Sequence, residues 1–185
     1  MKFKSKFQKI MFLTAAVSFL GTVCFFSVWF FSRNNILFAA VVTSFTVFYH
    51  FAVRLFIGEW LLKRLIANTP DYNHPWFRHR RFEQGLYRIL RVKDWKGQIP
   101  TYAPEEFSIR TNSWEQIAAA TCRSELVHEM NILASFVPLL FALFFGEFPV
   151  FLITSLLAAA VDLSFVILQR FNRPRLIRMI EKSKR

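Results

Sequence analysis

Four stretches of the chain are apolar for long enough to cross a bilayer: residues 10–31, 36–57, 126–145 and 148–168. A helix rises about 1.5 Å per residue and a hydrocarbon core is about 30 Å thick, so about 20 residues suffice. In lipid every backbone polar group needs an internal partner, which makes these runs helices rather than an open sheet. The pattern predicts an all-α integral membrane protein, a single membrane domain over residues 1–185. It has four transmembrane helices and, at residues 58–124, a cytosolic or interfacial amphipathic helical segment. The first run exceeds a signal-peptide core of about 7–15 residues and no A-x-A-like site follows it, so it reads as an uncleaved helix.

Inside the polar segment, His74-Pro75-Trp76 opens an expected helix through about Arg91. Phe82, Leu86 and Leu90 fall on one of its faces, and Arg78, Arg81, Arg88 and Arg91 crowd elsewhere. That division suits a helix lying in the headgroup layer; an ordinary solvated face over a core is the alternative. Ser113-x-x-Gln116 before an apolar run is a capping-box signature, so the third helix is expected to begin near Trp114 and run into the bilayer. Pro138 is expected to kink it midway. Pro174 disfavours a helical residue before it, so the last helix is expected to stop at Arg173.

Composition and charge sharpen the picture. Hydrophobic residues make up 54% of the chain and charged ones 19%, with 24 Phe, which excludes a disordered chain. Cys24 and Cys122 are the only cysteines, too few for a disulfide scaffold. A net charge of +12 on a soluble chain would suggest nucleic acid; beside four apolar runs it points to anionic membrane lipid instead. Four lysines precede the first run, eleven basic residues lie in the central stretch and seven follow residue 168; only Arg33 and Arg54 fall elsewhere. The positive-inside rule then puts both termini and the central segment in the cytosol.

Ionisable groups inside spans are rare and mark sites. Here they segregate by depth. His50 and Arg54 lie in the cytosolic half of the second span, Glu125, His128 and Glu129 at the start of the third, Asp162 near the end of the fourth. Gln169, Arg170, Asn172 and Arg173 follow at that same end. Glu125 and His128, three apart, share a helix face. A carboxylate beside an imidazole raises its basicity and fixes its tautomer, as a general base requires. His128 and Glu125 are therefore the candidate catalytic pair, and Arg54, Asp162, Gln169, Arg170, Asn172 and Arg173 candidate substrate-binding groups. Arg54 or Asn172 would stabilise an oxyanion. The bland alternatives are snorkelling of His50 and Arg54, and an Arg54–Asp162 pair that merely holds helices together. No metal is expected: after His128-Glu129 a zinc signature needs a second His at 132, which is Ile132. Cys122 lacks surroundings that would make it a nucleophile. Arg170, Arg173 and Arg175 suit phosphate, through forked hydrogen bonds.

Three strings carry a family resemblance: Lys93-x-Trp95-Lys96 with Ile99-Pro100, Arg123-Ser-Glu-Leu-Val-His128, and Gln169-Arg-Phe-Asn-Arg-Pro-Arg-Leu176. Together they resemble the glycosyl-4,4'-diaponeurosporenoate acyltransferases, small bacterial membrane enzymes of staphyloxanthin-type carotenoid biosynthesis. The chain departs from the family pattern at Glu129, where Trp is usual, and near Asp162-Leu-Ser164, where Asn-x-Pro is expected. The resemblance implies transfer of a fatty acyl group from acyl-CoA or acyl carrier protein to a hydroxyl of a lipid-linked glycoside, in a bacterial cell membrane and without a cofactor. A non-enzymatic four-helix scaffold, a transporter subunit, or a transferase acting on another lipid are the alternatives.

Overall fold

The computed structural model describes residues 3–65 and 70–185, and all regular structure within them is helical. Residues 66–69 of the central segment lie outside the described residues, as does Lys2 of the basic N-terminal tail. Helix α1 spans Lys6–Ser32 and α2 Asn35–Phe56; α2 continues through a π-helical turn, Ile57–Leu61, into the short α3, Leu62–Leu65. The central segment holds a 3-10 turn at Pro75–Phe77, α4 (Arg81–Ile89), α5 (Val92–Trp95) and a second 3-10 turn at Pro104–Phe107. Helices α6 (Trp114–Ser135), α7 (Pro138–Phe145) and α8 (Phe148–Ser183) complete the chain. Four helical stretches are long and apolar enough to cross a membrane: Lys6–Ser32, Asn35–Leu61, Trp114–Phe145 and Phe148–Ser183. Large apolar side chains such as Leu13, Val17, Phe31, Leu143 and Phe144 stand exposed on them, the outward face a lipid solvent requires.

Local chemistry sets the ends. Ser113 accepts from the Gln116 backbone at 3.2 Å while the Gln116 side chain accepts from the Ser113 backbone at 2.8 Å, so the predicted capping box starts α6. Where a kink is expected at Pro138 the helix breaks outright after Ser135, and Pro138 stands in the first turn of α7. Both hairpin turns use the left-handed region: Arg33 at φ 53° in the first, Gly146 at 69° and Glu147 at 49° in the second. Any side chain at Gly146 would be strained by that backbone. A Phe38–Phe145 ring contact puts these two turns at the same end of the bundle. At the other end Phe7 stacks on Phe165, and Lys4 pairs with Glu59. The N-terminus, the central segment and the end of α8 therefore share the basic end.

The core is the antiparallel pair of α6 and α8. Its seam is built of small residues, with Ala118, Ala120, Ser135 and Ser155 buried, so the backbones approach closely.

Two expectations are corrected. The helix expected from His74 to Arg91 is instead a 3-10 turn, an extended Arg78 and then α4. The carbonyls of Trp76, Phe77 and Arg78 face α8, where Arg170 donates to Trp76 and Arg78 (3.2 and 3.1 Å) and Arg173 to Phe77 (3.1 Å). Carbonyls committed to guanidinia cannot close helical turns. The last helix does not stop at Arg173; it passes through Pro174 to Ser183. An internal proline costs about 3 kcal/mol, and here buried groups flank it on both sides, the anchored Arg173 before and Ile180 after.

Candidate functional site

Two charged clusters line α8, one on either side of Gln169. The inner one is centred on Asp162, which is 2% exposed. Its Oδ2 accepts from Arg54, and its Oδ1 accepts from Asn131 Nδ2 at 3.2 Å and lies 2.7 Å from His128 Nδ1. Arg54 also donates to the His50 carbonyl (2.6 Å), Ser135 Oγ (3.0 Å) and the Ala158 carbonyl (3.0 Å). Three helices, α2, α6 and α8, thus meet on one carboxylate. An unpaired ion here would carry several kcal/mol of desolvation penalty; the Arg54–Asp162 pair removes the net charge.

The His128 ring lies flat on Phe165, with centroids 4.4 Å apart and planes 7° from parallel. Facing an ionised Asp162, Nδ1 carries the proton and Nε2 presents a lone pair. The side chain is 18% exposed, and Nε2 has no hydrogen-bond partner among the described residues. This is the arrangement of an oriented base with a reachable nitrogen.

The outer cluster joins the central segment to α8. Glu125, fully buried, accepts from Arg170 NH1 at 2.6 Å through Oε1 and from Arg173 through Oε2. Arg173 is 2% exposed and also donates to Thr121 Oγ1 at 3.2 Å. Arg170 reaches on to Glu83 Oε1 through Nε (3.1 Å) and NH2 (2.5 Å). Glu83 Oε2 accepts from Tyr87 at 2.7 Å and lies 2.9 Å from His79 Nδ1. Burial alone would raise the Glu83 pKa, but the hydrogen bonds of Tyr87, Arg170 and His79 and the Arg170 charge outweigh it and hold the group below its ordinary value. Burial and the same Glu83 carboxylate push the Tyr87 hydroxyl well up, so it stays protonated as a donor.

The sequence pairing of Glu125 with His128 is thus replaced. Glu125 turns to Arg170 and Arg173, and the acid on His128 is Asp162 from α8. Arg54 does reach Asp162. Arg170 and Arg173 hold carboxylates and carbonyls rather than standing free for phosphate. Gln169 donates to Ser124 Oγ at 3.1 Å and ties α8 to α6. Asn172 lines a groove of about 610 Å³ on the basic end. Glu129 accepts from Trp76 Nε1 at 3.1 Å. Glu83, Tyr87 and Ser135 went unread in the sequence, and Asn131 was noted only as a polar residue at the start of the third run. Glu83 had a signal: it is the one acid among five arginines between residues 78 and 91. Among the described residues no group of three or more His, Cys, Asp or Glu side chains is placed to hold a metal ion.

Searches of curated proteins and of solved structures each return no match. The family model for glycosyl-4,4'-diaponeurosporenoate acyltransferase matches residues 73–182. That stretch contains the whole outer cluster and, apart from the α2 residues, the whole inner one. It covers more than half of the 185 residues, and the chain belongs to the glycosyl-4,4'-diaponeurosporenoate acyltransferase family.

Proposed function

We propose that this protein is a membrane-embedded O-acyltransferase that esterifies a sugar hydroxyl of a glycosylated carotenoid with a fatty acid from a cytosolic thioester, acyl-CoA or acyl carrier protein. Both termini and residues 58–124 face the cytosol, and α4 lies in the headgroup layer with Phe82, Leu86 and Ile89 turned to lipid. The exposure of those three side chains on an otherwise charged helix supports that placement.

His128 is the base and Asp162 its positioning residue. Nε2 takes the proton of the acceptor hydroxyl as the oxygen attacks the thioester carbonyl. The tetrahedral intermediate collapses with cleavage of the C–S bond, and the departing thiolate takes the proton from the imidazolium. The products are an ester and a free thiol, and the imidazole returns neutral. Arg54, bound to four acceptors, clamps Asp162. Glu125, Arg170 and Arg173 hold α8 and the central segment in register with α6. Apolar spans on either side give a carotenoid backbone and an acyl chain a common solvent.

One observation carries the reading: a partly exposed histidine whose Nε2 has no hydrogen-bond partner among the described residues is oriented by a buried carboxylate within a span. The test is purified protein in liposomes with labelled acyl-CoA and glycosyl-4,4'-diaponeurosporenoate. Wild type forms the labelled ester and His128→Ala does not. Undiminished transfer by His128→Ala overturns the assignment of the base.

A further inference from the structure

Of the arginines that first suggest a phosphate site, Arg170 and Arg173 are neutralised by Glu83 and Glu125, yet Arg175 and two other cations at the same end are not. Lys96, Arg175 and Arg178 line the 610 Å³ groove between the α4–α5 turn and the last turns of α8. None of the three has an acidic partner among the described residues; Lys96 Nζ sits 4.9 Å from the Phe171 ring centroid, and Arg178 donates only to the Pro174 carbonyl. The groove therefore carries an uncompensated positive field, the footprint of an anionic ligand. Helix α8 places Arg175 and Arg178 there only because it runs on past Pro174.

A second, smaller groove of about 300 Å³ adjoins it, lined by Phe82, Leu86, Leu163, Val166 and Ile167. Glu83, Tyr87 and Arg170 belong to the walls of both. The pair of grooves is thus continuous in composition from cationic to apolar. It also spans a length: from Arg175 to Leu163 is twelve residues of α8, about 18 Å at the helical rise. Leu163 follows Asp162, and Glu129, in the wall of the apolar groove, follows His128. The far end of the track lies at the depth of the dyad.

We infer that Lys96, Arg175 and Arg178 bind the phosphates of a coenzyme A thioester donor, whose pantetheine arm enters the apolar groove and carries the thioester to the depth of His128. This rests on the acyltransferase reading and narrows its donor. A nucleotide donor with several phosphates matches three separate cations on a shallow groove better than the single phosphodiester of a carrier protein. Forked guanidinia suit phosphate oxygens, and Lys96 adds a point charge.

The experiment compares initial rates of the wild type and of the Arg175→Gln/Arg178→Gln and Lys96→Gln variants in liposomes, with acyl-CoA and with acyl-pantetheine, which lacks the nucleotide and its phosphates. The expected result is a rise of about tenfold or more in KM for acyl-CoA in the double variant. Its kcat, its KM for the glycolipid and its KM for acyl-pantetheine stay at wild-type values. Lys96→Gln gives a smaller rise in the same parameter alone. Equal losses with both donors, varying with the anionic lipid content of the liposomes, would assign the cations to lipid headgroups and overturn the proposal. Unchanged kinetics would overturn it as well. Preference of the wild type for acyl carrier protein over acyl-CoA would do the same. Failure of the acyltransferase reading itself shows differently, as absence of ester with either donor in the wild type. In that case, equilibrium binding of free coenzyme A to wild type and double variant still decides the inference: tighter binding by wild type upholds it, equal binding overturns it.

Discussion

The two clusters on α8 stand about 12 Å apart, by eight residues of helical rise, and each holds a histidine on a carboxylate: His79 on Glu83 at the exposed edge of the outer one, His128 on Asp162 inside a helix long and apolar enough to cross a membrane. In the outer cluster every carboxylate oxygen of Glu83 and Glu125 accepts from at least one group, and Arg170 and Arg173 donate inward to acids, carbonyls and the Thr121 hydroxyl. In the inner cluster Asp162 is equally satisfied, but among the described residues the Nε2 of the histidine it orients and the buried Oδ1 of Asn131 have no partner. Buried polar groups are nearly always partnered, so saturated carboxylates and guanidinia read as a fastener, and open atoms buried within the bundle as a place where something else binds. The same chemistry of acids, arginines and histidine thus yields a joint at one level and a candidate reaction centre at the next.

Substitution separates the two roles. The largest effect expected is on acyl transfer by His128→Ala, a drop of about 10²–10⁴-fold, the usual contribution of a positioned base, with the melting temperature nearly unchanged. Equal losses from Glu125→Gln at unchanged stability would erase the distinction between the clusters. Next comes Asp162→Asn, which should lower both properties. Transfer falls about 10²-fold or more because an amide no longer dictates the imidazole tautomer, and stability falls by about 3–5 kcal/mol because Arg54 is left without its counter-ion. Adding Arg54→Met to Asp162→Asn should recover stability but not transfer, as measured by thermal melts and labelled-ester assays on the same samples. Arg173→Met should cost a similar 3–5 kcal/mol in stability, by leaving Glu125 short of a cation in full burial, while the protein that remains folded keeps its kcat. The smallest effect is a pH dependence. The folded pKa of Glu83 lies below its ordinary value. Its stabilisation is therefore complete above the unfolded carboxylate pKa of about 4.3 and fades as pH falls through the lower folded value. The melting-temperature gap between wild type and Glu83→Gln should be constant from pH 7 to 5 and close toward pH 3.

Much of this was legible along the chain, for reasons that are local. Apolar runs of 20 residues, a Ser-x-x-Gln cap and a proline at 138 act within a turn or two of themselves, and the helices, the α6 start and the α6–α7 break follow them. The depth of the polar residues was legible too, since helical rise converts sequence position into height. The partner of each charge was not. Spacing puts Glu125 and His128 on one face, but Arg170 and Arg173, 45 and 48 residues away, take the Glu125 carboxylate. Helical rotation brings Asp162, 34 residues from His128, to the imidazole. Glu83 stands out as the one acid among five arginines, but its burial was not legible, because a solvated acid there and a buried one read alike in a sequence.

By itself, then, the sequence determined the four helices long and apolar enough to cross a membrane, the shared end for both termini and the level at which the ionisable groups collect, because transfer energies and caps are sums over neighbouring residues. Only the tertiary structure decided that Asp162 serves the histidine, that Glu125 serves the arginines, and that α8 runs on through Pro174. Each of those outcomes depends on which buried charges can neutralise one another at contact distance, and that is a property of packed helices rather than of any one of them.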